Sequence, residues 1–324
     1  MEQFHDGHHV WLQSRVHGTY LHADVDGHGV SLSRRRASMK AAWAVHLYGD
    51  DQHVLLHSAA YGRYLAATRA SAPLGCRGFR VEQRDYDGIE EEAMRWQAQA
   101  IEGDFGDRIV LRHAAGVLPL RFGYLRANGR YLPWNENVVS VDPFDNFSTM
   151  MEWVVVPIPV RQSVPRLPRP NRVSSPCPLP DSSRIAFAFR RDRSIERIGF
   201  LNAVNLYLNL IAGIESSDNF IRLGPILDSV IRLRLAALLP SRDVVLIGFS
   251  EGFVFRGRSV FCLRNEVADW LGIRDDLVMY VRAGRYGRFT PLVVDLPRSR
   301  QTLVIRVEPP APANLDRYPD VDAE

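Results

Sequence analysis

The densest gathering of reactive side chains lies at the N-terminus, where His5, Asp6, His8 and His9 combine the residue types that ligate zinc and other transition metals. Their setting points elsewhere. His9 opens the run His9-Val10-Trp11-Leu12, His53 opens His53-Val54-Leu55-Leu56, and Arg108 holds the same place in Arg108-Ile109-Val110-Leu111. A position that accepts arginine reads as an outward strand residue, so no metal is expected. Serine, histidine and aspartate are all present, but no nucleophile-elbow signature brings a triad together. The pair Gly284 and Gly287 follows a strand-like run without opening a helix, so it is neither a phosphate loop nor a dinucleotide fingerprint. Neither catalysis nor a cofactor is therefore expected. Two features remain that could bind. Arg34, Arg35, Arg36 and Lys40 form a compact basic cluster suited to an acidic filament or a phosphate-bearing partner. Trp134, beside Asn135 and Asn137, has the composition of a sugar-stacking position, although no Gln-x-Trp repeat accompanies it.

The elements that must position these residues are bounded by composition. A chain of 324 residues suggests about two domains, and a 46% hydrophobic, 24% charged composition is that of a folded globular protein. Net charge is +3, but it divides as 16 basic against 19 acidic over residues 1–156, 4 against 1 over 157–183, and 20 against 17 beyond, or −3, +3 and +3. Such small imbalances do not make a nucleic-acid face, so no nucleic-acid partner is expected. The three cysteines, Cys76, Cys177 and Cys262, are widely separated, which suggests a reducing compartment and no disulfide framework. The first eleven residues lack the apolar stretch of a secretory signal, and the expected location is cytoplasmic.

An internal repeat organises the first half. Each apolar run above leads to a Tyr-Leu-x-Ala segment preceded by a turn glycine: Gly18-Thr19-Tyr20-Leu21-His22-Ala23, Gly62-Arg63-Tyr64-Leu65-Ala66-Ala67 and Gly123-Tyr124-Leu125-Arg126-Ala127. A short alternating strand follows, then Trp43, Trp96 or Trp153 opens a fourth. Four period-2 runs bounded by turn residues cannot bury an apolar face alone, whereas three such units share a core around a pseudo-threefold axis. The predicted fold over residues 1–157 is an all-β β-trefoil of three four-strand repeats. In the third repeat, Val117-Leu118-Pro119-Leu120-Arg121-Phe122 interrupts the pattern.

Eight prolines and four arginines from Pro157 to Pro180 predict an extended Pro/Arg-rich linker over residues 158–183. Beyond it, the order of elements is that of an α+β ubiquitin-like β-grasp domain over 184–307. Its first strand is expected at Ile185 to Phe189 and its second at Phe253 to Phe255. Leu263, Val267, Trp270 and Leu271 then recur on one helical face before Gly272, followed by further strands. An apolar segment at 195–248 interrupts this order as a long insertion. Ile198 to Ile214 suggests an amphipathic surface helix in preference to a membrane span, because Asn202, Asn205 and Asn209 form a polar stripe; Ile226 to Leu239 suggests a second helix. Residues 308–324 read as a disordered tail.

Several stretches resemble a plant family classed as domain of unknown function 569: Phe4-His5-Asp6-Gly7-His8-His9-Val10, Ser31-Leu32-Ser33-Arg34-Arg35-Arg36-Ala37-Ser38, Tyr61-Gly62-Arg63-Tyr64-Leu65-Ala66, Gly78-Phe79-Arg80-Val81-Glu82-Gln83-Arg84-Asp85-Tyr86-Asp87 and Val281-Arg282-Ala283-Gly284-Arg285-Tyr286-Gly287-Arg288. The resemblance implies a fascin-like, actin-cross-linking-type trefoil followed by a ubiquitin-like domain, and it supplies no catalytic or binding residue to carry over. Three expectations stand together: a non-catalytic module that binds actin filaments through Arg34, Arg35, Arg36 and Lys40, a lectin-like or small-ligand trefoil that uses Trp134, or a general protein-interaction adaptor.

Overall fold

A computed structural model describes the chain apart from residues 1–3, 50–52, 88–90, 102–107, 114–122, 130–136, 144–147, 162, 164, 166–220, 224–229, 235–236, 239–243, 246–252, 272–276, 299–302 and 309–317. Its contacts divide into two units. The first comprises Met1–Pro165, Val281–Ser299 and Pro312–Glu324, the second Arg166–Tyr280 and Arg300–Ala311.

Each of the three sequence repeats folds as four strands. The first holds β1 (His9–Ser14), β2 (Tyr20–Ala23), β3 (Val30–Ser33) and β4 (Trp43–Tyr48). The second holds β5 (His53–Ser58), β6 (Tyr64–Ser71), β7 (Phe79–Arg84) and β8 (Trp96–Ala100). The third holds β9 (Arg108–His113), β10 (Gly123–Ala127), β11 (Val139–Asp142) and β12 (Glu152–Ile158). First and fourth strands pair in the closed circuit β1-β4-β5-β8-β9-β12-β1, which leaves this barrel no free edge. The inner strands form the hairpins β2-β3, β6-β7 and β10-β11. Bridges Gly29 to Glu82 and Ser31 to Val138, with the β7-β11 pairing, join the hairpins into a triangular cap. Barrel and cap together are a β-trefoil.

The repeat residues explain why the unit closes. Leu12, Leu56 and Leu111 come from the first strands, Leu21, Leu65 and Leu125 from the second, and all six are fully buried. Ala23, Ala67 and Ala127, two residues further on, are fully buried as well, and their small side chains suit the crowded axis. Trp43 and Trp96 open their fourth strands and Trp153 is second in β12, all three without solvent exposure. Each indole Nε1 donates to the carbonyl of the second-strand leucine, Leu21, Leu65 or Leu125, at 3.0 Å in all three repeats. Each tryptophan thus fills the core and ties cap hairpin to barrel. The first two hairpins are entered through glycines at positive φ, Gly18 at 65° and Gly62 at 69°, whose N–H groups donate to Ser14 and Ser58. The third repeat has Phe122 at the equivalent place, and the interruption at Val117 to Phe122 lies outside the described residues.

Two later segments complete the first unit. Val293 and Val294 pack against the trefoil core, and Tyr318 and Val321 are buried within it. The tail expected to be disordered is therefore folded over residues 318–324. Its proline and acidic content resembles disorder, but Tyr318 and Val321 supply the buried anchors and Arg161 the counter-charge.

The second unit contains β13 (Ile221–Leu223), β14 (Val230–Arg234), β15 (Ala237–Leu238), β16 (Val244–Val245), β17 (Phe253–Arg256), helix α1 (Val260–Leu271), the start of β18 (Val278–Arg282), and β20 (Leu303–Glu308); β19 (Phe289–Pro291) belongs to the first unit. Strands order as β16-β15-β20-β13-β14-β17. The helix falls where its periodicity predicts, with Ser259 Oγ capping the Cys262 amide at 3.3 Å and Leu263 and Val267 buried. Residues 221–223, 230–234, 237–238 and 244–245, inside the stretch expected as an insertion, thus contribute to this sheet. Where Ile226 to Leu239 suggested a helix, β14 and β15 form instead. Val230, Ile231 and Leu233 suit a strand as well as a helix, and pairing with Phe253–Arg256 decides the outcome. The strand expected at Ile185 to Phe189 and the helix at Ile198 to Ile214 lie outside the described residues.

Replacing Trp43, Trp96 or Trp153 with alanine should cost about 3–5 kcal/mol at each site. Replacement with phenylalanine keeps the ring but orphans a buried leucine carbonyl, at about 1–3 kcal/mol. Urea unfolding of the full chain followed by tryptophan fluorescence measures both, and tolerance at any one of the three positions would break their equivalence.

Candidate functional site

The basic cluster sits on the loop between β3 and β4, and that loop is held by its own main chain. Arg35 N–H donates to Ser33 Oγ at 3.2 Å, Ser38 N–H to Arg36 O at 2.7 Å, and Lys40 O accepts from Ala23 N–H at 2.8 Å. Met39 is buried beneath it. Arg34 and Arg35 are exposed, whereas Arg36 and Lys40 are half-buried. The four residues therefore share a loop without sharing an environment. Arg35 and Lys40 lie close enough to His22 to add to burial in lowering its pKa to about 4, and Lys40 partly offsets the burial that raises Asp24.

Arg36 is already engaged. Its guanidinium carbon lies 4.9 Å from the centroid of the Trp11 ring, and Nη2 donates to the Ala323 carbonyl at 2.6 Å. The segment carrying Ala323 runs along the end of β12. Val160 bridges Pro319, Arg161 N–H donates to Tyr318 O at 2.8 Å, and Asp320 N–H donates to Pro159 O at 2.7 Å. Arg161 Nη2 lies 2.8 Å from Asp320 and 2.6 Å from Asp322. Trp11, Arg161, Tyr318 and the two aspartates were not singled out from the sequence, where Arg161 read as linker and the tail as solvent. Their one sequence signal is the alternation of apolar Tyr318 and Val321 with acidic Asp320 and Asp322. Trp134 lies outside the described residues.

A second polar cluster is buried. His46 and His57 lie 5.0 Å apart by ring centroid on β4 and β5, with Tyr64 5.0–5.5 Å from both. Tyr64 OH is 3.0 Å from His46 Nδ1. His57 Nε2 is 3.3 Å from Arg288 O and its Nδ1 3.5 Å from Thr290 Oγ1, so the tautomer that serves both carries its proton on Nε2. Residues 283–290 cover this cluster within the first unit: Tyr86 N–H donates to Ala283 O at 3.1 Å, Tyr286 N–H to Tyr86 O at 2.9 Å, and Arg285 N–H to Asp87. Gly284, at φ +77°, approaches Tyr86 so closely that an added Cβ would stand 2.7 Å from its nitrogen. Desolvation lowers His46 to about 2 and His57 to about 3, and raises Tyr64 to about 12. Burial, with His8 nearby, brings half-buried His9 to about 4, which departs from a freely outward position. Arg63 is buried beside this region, with Nε 3.0 Å from Asp85 and Nη1 on the Gly27 carbonyl. These groups are bonded to one another, to main chain or to Asp85.

Residues 1–156 match the family model described as "Beta-trefoil domain of unknown function (DUF569)", and residues 249–307 match the "DUF569 associated ubiquitin-like domain". The chain carries both domains of the DUF569 family. In this DUF569 chain the C-terminal domain is thus ubiquitin-like, as the order of its elements suggested. No curated protein matches the chain. Solved structures similar to it include the SDF2-like protein from Arabidopsis thaliana, at 14% identity over 47% of this chain and 94% of that one with a TM-score of 0.38. A designed threefold-symmetric protein, ThreeFoil, matches at 19% identity over 46% and 97%, TM-score 0.37. A ricin B-like lectin from Macrolepiota procera in complex with lactose matches at 15% identity over 47% and 96%, TM-score 0.36.

The histidines of the DUF569 trefoil give stability a defined pH dependence. His46 and His57 are neutral in the fold, while in the unfolded chain they take up protons near pH 6.5. Unfolding is therefore favoured as pH falls below about 6.5, by about 1.4 kcal/mol per pH unit for each histidine, down to about pH 3 for His57 and about pH 2 for His46. Urea unfolding between pH 7.5 and 4 should show this slope, and H57Q should flatten it. Equal slopes for wild type and H57Q would contradict a neutral, buried His57.

Proposed function

We propose that the protein is a non-catalytic binding protein whose trefoil engages an acidic protein surface through the loop of residues 34–40, with actin filaments as the leading partner. The observation that carries this reading is the exposure of Arg34 and Arg35 on a loop fixed at both ends by main-chain and serine hydrogen bonds. Fixed exposed charge favours binding, because less side-chain and loop order is lost on contact. Arg36 and Lys40, half-buried and engaged, support the loop more than they extend its contact face. The sealed arrangement of His46, His57 and Tyr64 supports a scaffold role over acid-base chemistry. The net −3 of residues 1–156 works against long-range steering toward an acidic filament, so the contact must be local and sensitive to salt.

Filament co-sedimentation of the full chain tests the proposal. Wild type should sediment with filaments at low salt and lose most binding above about 0.15 M, where the Debye length falls to about 8 Å. The double substitution R34Q/R35Q should abolish sedimentation with an unchanged melting transition, since exposed substitutions away from the core usually cost under about 0.5 kcal/mol. Failure of wild type to sediment at low salt would refute the filament partner. Glycan binding abolished by Trp134→Ala would favour the lectin-like reading instead.

A further inference from the structure

The contact between residues 318–324 and the end of β12 has the character of ligand binding. Its main chain adds to a strand end by one antiparallel bridge made of two hydrogen bonds, the mode by which many domains take extended peptides. Its side chains alternate in role. Tyr318 and Val321 are buried, 4% and 7% exposed, while Asp320 and Asp322 both meet Arg161. Arg36, stacked on Trp11, closes the far end on the Ala323 carbonyl. Asp320, Asp322 and Glu324 give residues 318–324 three acidic side chains and no basic one, against Arg34, Arg35, Arg36 and Arg161 on the trefoil side. Affinity is thus shared among main-chain pairing, two apolar anchors and charge, and a separate peptide with the same features satisfies each of them.

We propose that Arg161, Arg36 and Trp11 form a docking groove on the trefoil for an acidic peptide of another protein, one carrying an aromatic residue and, three positions on, a branched aliphatic one. Residues 318–324 are its resident occupant in cis. A tethered segment competes at an effective concentration on the order of millimolar, so the groove is closed to weak ligands until the tail leaves. The inference shares the arginine loop with the filament reading but does not require it, and its test contains no filament, so either can fail without the other.

The probe is a fluorescein-labelled peptide Tyr-Pro-Asp-Val-Asp-Ala-Glu, titrated into the full chain and read by anisotropy. The variant D320K/D322K places lysines against Arg161 and releases the tail. It should bind the peptide saturably and about tenfold or more tighter than wild type. Adding R161E should remove that binding, and a scrambled peptide of the same composition should not bind. A folded D320K/D322K chain that binds no tighter than wild type, or that binds the scrambled peptide equally, overturns the groove. A second measurement needs no substitution. The unlabelled peptide at several millimolar should speed hydrogen exchange at the Asp320 amide of wild type, which donates to Pro159 O. Unchanged exchange at saturating peptide likewise overturns the proposal.

Discussion

An indole N–H donating to a leucine carbonyl, made three times at 3.0 Å, is the interaction on which the rest of the first unit depends. A β-trefoil must hold a cap of hairpins onto a barrel of outer strands, and in each repeat the two share only a short pairing between first and second strands. Trp43, Trp96 and Trp153 bridge them. Each stands at the start of the fourth strand of its repeat, buries its full ring, and bonds the second strand of the same repeat. In a water-free core an unpaired leucine carbonyl is expensive, so the bond specifies as well as stabilises. With the barrel closed on itself and the cap tied down, the connecting loops carry little of the fold and are free to differ.

That freedom is visible in how the three repeats diverge. The second repeat has a buried arginine, Arg63, where the first has Thr19 and the third Gly123, and its guanidinium is held by Asp85 and the Gly27 carbonyl. Beside it, His46, His57 and Tyr64 lie under residues 283–290. Near β12, Arg161 gathers the acidic residues of the tail. The trefoil thus uses two separate parts of its surface to hold later parts of its own chain, one through neutral, desolvated groups and one through opposite charge. The first is insensitive to salt and sensitive to acid. The second is weakened by salt.

What the sequence made legible follows from how local each cause is. Tyr-Leu-x-Ala and the tryptophan recur because the threefold axis imposes the same environment three times, so the repeat exposes the core directly. Helix α1 was legible for a similar reason: its apolar positions recur at helical spacing and Ser259 caps it. Strand β14 was not, because Val230, Ile231 and Leu233 fit helix and strand alike until a partner strand chooses. The tail was hidden by composition, since Tyr-Pro-Asp-Val-Asp looks solvated unless Arg161 is known to lie opposite. Arg36 read as one of four equivalent charges, yet a ring and a carbonyl that are distant in sequence, Trp11 and Ala323, set it apart. Histidines 46 and 57 were similarly opaque, because alternation alone does not reveal that residues 283–290 cover them.

Hydrogen exchange of the indole protons, followed by nuclear magnetic resonance on the full chain, tests the central claim most directly. Of the six tryptophans, Trp43, Trp96 and Trp153 should show indole protons that exchange only through global opening of the trefoil, with protection free energies that agree among the three and match the unfolding free energy. One of the three exchanging orders of magnitude faster than the others, in a chain that is otherwise folded, would show that its bond to leucine is not made and would contradict the threefold closure.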